Sequence, residues 1–153
     1  MRDDWTDLLF ALLDAEVRFL VVGAHAMGVH GVPRATRDLD VWVEPSPENA
    51  KRVWRALGAF GVPLEALRLE QNDFADRSTV VQFGVPPVRV DVLTDISGVP
   101  DFTAAWVARS VHPVRGRAVP FLGREALIAN KCASGRPKDL VDLDALGVPH
   151  GGA

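Results

Sequence analysis

Phe19-Leu20-Val21-Val22-Gly23-Ala24-His25-Ala26-Met27-Gly28-Val29, followed after Gly31-Val32-Pro33 by Arg34-Ala35-Thr36-Arg37-Asp38-Leu39-Asp40-Val41-Trp42-Val43, is the stretch on which the fold turns. Its first residues form a short apolar run, rich in β-formers, that ends at a glycine, so a buried strand is expected. Ala24 to Val29 is small and weakly amphipathic and predicts a brief helix, which Gly31-Val32-Pro33 breaks. Asp38 to Val43 alternates acid and apolar residues before becoming wholly apolar, and predicts a second strand. Strand side chains alternate faces, so Asp38 and Asp40 leave one side while Leu39 and Val41 enter the core.

Outward from this stretch the pattern is mixed. Trp5, Leu8, Leu9, Leu12 and Leu13 fall at helical spacing between Asp3 and Glu16, with Asp3, Asp4 and Asp7 where the helix dipole favours acids. Ser46-Pro47-Glu48 is a helix start, and the helix beyond it buries Ala50, Val53, Trp54 and Leu57. Residues 64–76 could be helix or irregular chain. Residues 79–84 and 88–94 read as antiparallel strands, 102–109 as a helix, and 111–114 with 118–122 as a hairpin. Helices are expected over 125–133 and 138–146, separated by Ser134-Gly135-Arg136-Pro137. Pro149 to Ala153 reads as a loose tail. The expected architecture is α/β (α+β): a single mixed sheet flanked by helices, in one domain over residues 1–148.

The chain has 153 residues, 48% of them hydrophobic and 24% charged, with a formal charge of −3. That suits one globular domain with a core that needs no disulfide or structural metal. The single cysteine, Cys132, excludes an internal disulfide, and it is expected as a small core residue. No apolar run reaches about 18 residues, and Met1-Arg2-Asp3-Asp4-Trp5 lacks the basic start of a signal peptide, so a cytoplasmic location without membrane contact is expected. A net negative chain lacks the electrostatic footprint for long DNA.

Asp38 and Asp40, projecting from one side of a strand, repel each other unless a positive charge lies between them. A divalent cation supplies one, because Mg²⁺ takes one or two carboxylates together with phosphate oxygens. Asp91, in Val88-Arg89-Val90-Asp91-Val92-Leu93, is an acid among apolar strand neighbours and needs a partner of its own. If its strand lies beside that of Asp38 and Asp40, three carboxylates converge in a manner suited to in-line phosphoryl displacement. The alternative is solvated acids at a strand end, with Asp91 paired to an arginine.

The segments from Val21 to Ala26 and from His30 to Asp40 resemble the nucleotidyltransferase superfamily with the polymerase-β-like fold. The likeness is greatest to the small bacterial branch that includes toxin–antitoxin nucleotidyltransferases. It continues through Arg89 to Leu93, Leu127 to Lys131 and Gly135 to Leu143. The resemblance implies a Gly23 turn that holds nucleotide phosphates, and Asp38, Asp40 and Asp91 as both catalytic and metal-holding acids. It implies Mg²⁺ as cofactor, as one or two ions with Mn²⁺ able to substitute. The reaction implied is NMP transfer from an NTP to a hydroxyl on a protein, RNA or small molecule. One departure stands out: Ala24 occupies a position where the superfamily usually has serine or glycine, so no hydroxyl is available there for a phosphate.

The remaining candidates keep two readings each. Arg34, Thr36 and Arg37 contact phosphate or acceptor, or the arginines pair with the nearby acids. His25 lies close to the phosphate turn, and its spacing from His30 puts the two on different helix faces. Lys131, on an apolar helix, either snorkels or faces the cleft, and the resemblance favours the cleft. Lys138 and Asp142 are an i, i+4 pair that reads as a solvated face. The leading expectation is a Mg²⁺-dependent nucleotidyltransferase, possible member of a toxin–antitoxin pair. The alternatives are a catalytically weak binding partner or antitoxin, and a metal-dependent phosphodiesterase.

Overall fold

The computed structural model describes residues 3–36, 38–85 and 88–149. Arg37 and residues 150–153 of the expected tail lie outside them. In chain order the elements are α1 (Asp3–Asp14), β1 (Phe19–Val22), α2 (Gly23–Val29), β2 (Asp38–Val43), α3 (Pro47–Phe60), β3 (Val80–Val85), β4 (Val88–Leu93), α4 (Phe102–Val107), β5 (Ser110–Val114), β6 (Arg117–Phe121), α5 (Arg124–Ser134) and α6 (Pro137–Ala145). The strands form one six-stranded mixed sheet in the order β3-β4-β2-β1-β6-β5. Pairs β1–β2, β3–β4 and β5–β6 are antiparallel, while β2–β4 and β1–β6 are parallel. The α/β architecture read from the sequence is therefore the one observed.

Strand alternation divides the interior in two. Phe19, Val21, Leu39, Val41, Val90 and Val92 face one side of the sheet, where they pack with α1 and α3. Leu20, Val22 and Trp42 face the other, against Phe102, Leu122 and Leu127. Each fully buried leucine or valine contributes about 1.5–3 kcal/mol relative to exposure, so both layers hold the sheet. The α3 start behaves as its sequence requires: Ser46 Oγ accepts from the Asn49 N–H at 3.2 Å. Asn49 also ties β1 to β2, because its amide donates to the carbonyls of Arg18 and Glu44 at 3.0 Å each.

Several expectations are corrected. Residues 64–76 are turns leading into a 3₁₀ helix at Gln71–Ala75, held by Glu70 and Asp73 and anchored by buried Phe74. Cys132 is exposed on α5 rather than packed in the core, because the apolar face of that helix is carried by Leu127 and its neighbours. Trp54 is only half-buried. The acids of α6 are not a solvated face, as described below.

Candidate functional site

The site is assembled by strand pairing. Because β1 runs antiparallel to β2, Val22 lies opposite Asp40, and the Gly23 turn comes to rest beside that carboxylate. Because β2 runs parallel to β4, Asp40 lies directly opposite Asp91. Gly23 has φ +69°, and a Cβ there would collide with Asp40 Oδ2, so only glycine suits the turn. Asp40 and Asp91 share a side-chain hydrogen bond, and Asp91 also accepts from Gln82 Nε2 at 2.9 Å. Burial, then the charges of Asp91 and Asp38, push the Asp40 carboxyl up to about 6, with Lys138 opposing. Thr36 Oγ1 bonds both the N–H and the carbonyl of Asp38 at 3.1 Å, which fixes the entry to β2.

An ionic network formed by α5, α6 and the loop before β2 lies beside these acids. Lys131 is 7% exposed, and its ammonium sits 2.9 Å from Asp142 Oδ2 and 3.4 Å from Asp139 Oδ1. Arg34 reaches Asp142 Oδ1 through Nη2 at 2.7 Å and Nε at 2.9 Å. Arg136 forks onto Asp139, with Nε to Oδ2 at 2.8 Å and Nη2 to Oδ1 at 3.2 Å. Burial disfavours the Asp139 charge, but bonds from Arg136, Ser134 and the Arg136 backbone outweigh it and hold the carboxyl well below the usual range. The expected Lys138–Asp142 surface pair is thus replaced. Asp139 and Asp142 turn inward to three other cations, and Lys138 stays exposed near Asp40.

Two clefts, of about 400 and 410 Å³, open beside a shared wall of Gly23, Asp40, Lys131 and Arg136. Asp91 lines the first, and Ala24, Arg34, Thr36 and Asp38 line the second. The structure therefore brings together along these clefts every described site residue read from the sequence except His25, which lies behind them with its ring bonded to the Asp38 backbone. That ring packs edge-on against Trp5 at 4.8 Å, and burial lowers it to about 4, so it is neutral. Arg136 and Asp139 were missed as site residues. The Arg136-Pro137 helix start was visible, but nothing local shows that its side chain folds back onto Asp139.

The acids fit a divalent cation. Among the described residues no group of three or more His, Cys, Asp or Glu side chains has metal-holding geometry. What the sheet offers is a pair, Asp40 and Asp91, with Asp38 alongside. A Mg²⁺ ion needs no more than one or two protein carboxylates when phosphate and water complete its shell. The crowding that pushes Asp40 up to about 6 is also the crowding that a cation would relieve.

No protein-family model matches the chain, and no curated protein matches it. Among solved structures it is similar to the crystal structure of a candidate nucleotidyltransferase from Thermotoga maritima, with a TM-score of 0.61 and 18% identity. The match covers 95% of this chain and 93% of that one. Likeness at that identity is a statement about architecture: the chain has a nucleotidyltransferase-type α/β fold.

Proposed function

We propose that the chain is a Mg²⁺-dependent nucleotidyltransferase that moves an NMP from an NTP to an acceptor hydroxyl. The observation that carries this reading is Asp40 opposite Asp91 on parallel strands, beside a turn where only glycine suits. A cation held by these carboxylates would neutralise charge developing on the transferred phosphoryl group. The chain's own residues supply the rest. Gly23 lets backbone approach the phosphates closely, since no side chain intervenes. Lys131 and Arg136, aligned by Asp139 and Asp142, present positive charge at both clefts. Asp91, which accepts from Gln82, would take the proton of the attacking hydroxyl. Among those residues no helix is long and apolar enough to cross a membrane, and the reading places the protein in the cytoplasm, where NTPs are abundant.

The test is transfer of label from an α-labelled NTP, with release of pyrophosphate, in wild type and Asp40→Asn. Label and pyrophosphate together in the wild type only support the reading. Cleavage of a phosphodiester without pyrophosphate release points instead to a phosphodiesterase. A binding partner or antitoxin in a toxin–antitoxin pair is the second reading. It is favoured by Ala24, which offers no hydroxyl, and by the commitment of the Lys131 ammonium to two acids. It predicts biological activity that survives Asp40→Asn.

A further inference from the structure

We infer that His25 is a positioning residue for the cation site: its ring holds the Asp38 main chain, and with it the aim of the Asp38 carboxylate. The inference rests on the nucleotidyltransferase reading and adds a residue to that same site. Asp38 and Asp40 leave β2 on one side, but the sheet holds them unequally. Asp40 lies between two strands, opposite Val22 of β1 and Asp91 of β4. Asp38 is paired with Arg89 of β4, while β1 ends at Val22, so the β1–β2 register stops at Asp40. A main chain at the end of a strand needs partners from elsewhere.

His25 supplies one. It stands in α2, the helix that continues β1 past the Gly23 turn, and its ring bonds the Asp38 backbone. Nε2 is buried without a hydrogen-bond partner, so the bond is made by Nδ1, which donates to the Asp38 carbonyl. That bond fixes the ring as the Nδ1–H tautomer. Trp5 of α1, itself buried, packs edge-on against the ring at 4.8 Å and limits its rotation. Thr36 Oγ1, 3.1 Å from both the N–H and the carbonyl of Asp38, secures the same residue from its own loop.

The two side chains act differently. Thr36 closes a local turn, whereas His25 ties Asp38 to the glycine turn that the reading gives to the nucleotide phosphates. One ring thus sets the spacing between that turn and the first acid of β2. His25 itself touches neither cation nor nucleotide. Partners that orient a metal ligand from behind in this way are worth about 10–100-fold in metal affinity.

The experiment follows Mn²⁺ uptake, from loss of the free-ion EPR signal, in wild type, Asp38→Asn, His25→Leu and His25→Asn, with a thermal melt of each. Leucine fills the space of the ring without a donor, and the asparagine Nδ2 stands close to where the ring Nδ1 stood. The expected result is Mn²⁺ affinity weakened about tenfold in both His25→Leu and Asp38→Asn, and largely restored in His25→Asn. Pyrophosphate release from ATP, GTP, CTP and UTP at one fixed Mg²⁺ concentration should follow the same order in kcat, with KM for the nucleotide unchanged. Equal affinity in wild type and His25→Leu, or equal loss in His25→Leu and His25→Asn, overturns the inference, as does an Asp38→Asn variant that binds like wild type. If His25→Leu does not melt cooperatively, His25→Gln takes its place, because that amide extends to the unpartnered Nε2 position and is expected to bind as weakly. A wild type that takes up no Mn²⁺ overturns the parent reading instead.

Discussion

Asp40 with Asp91 in the sheet and Asp139 with Asp142 on α6 are two acidic pairs, the first half-buried and the second buried. Their surroundings set them apart. Asp139 and Asp142 meet Lys131, Arg34 and Arg136 at 2.7–3.4 Å, and Asp139 is held firmly charged. Asp40 meets mainly other carboxylates and is pushed up to about 6. Compensated acids of the first kind hold elements together, while uncompensated ones of the second kind are those that the proposed function gives to a cation. Residue type alone does not draw that contrast.

The contrast is broken most severely at Asp139. Asp139→Ala leaves buried Lys131 with Asp142 alone and removes the carboxylate onto which Arg136 forks, and should cost about 3 kcal/mol in a urea unfolding series. Asp40→Asn should do the reverse. A raised folded-state pKa means the native state binds the extra proton, so wild-type stability falls as pH rises from about 4 to about 6. The variant lacks that loss. It should therefore gain up to about 3 kcal/mol at pH 8 and almost nothing below pH 4, as read from thermal melts. Mg²⁺ should raise the melting temperature of the wild type at pH 8 and leave Asp40→Asn unmoved. Gly23→Ala forces a side chain into φ +69° and onto Asp40, at an expected cost of about 1–2 kcal/mol. Lys138→Ala has the smallest effect, a slight further rise in the Asp40 titration followed by carboxyl NMR.

Much of the scaffold was readable because it is encoded locally. The alternation from Asp38 to Val43 gave the strand and its acidic face, and Ser46-Pro47 gave the α3 cap. The Asp40–Asp91 meeting could be stated only as a condition, since no local signal says which strands pair. The α6 acids were misread for the same reason. Asp142 is four residues from Lys138, which favours a surface pair on local spacing. Its partner Arg34 lies 108 residues away in sequence, and only the folded chain joins them. Cys132 was misplaced because α5 spends its apolar face elsewhere.

The central claim is that Asp40 and Asp91 form a cation-dependent nucleotide site. Calorimetric titration of ATP, GTP, CTP and UTP into wild type and Asp40→Asn, each with and without Mg²⁺, tests it most directly. The account predicts that at least one nucleotide binds the wild type only when Mg²⁺ is present and fails to bind the variant. Equal binding to both proteins, or no binding to the wild type at millimolar nucleotide, would contradict it.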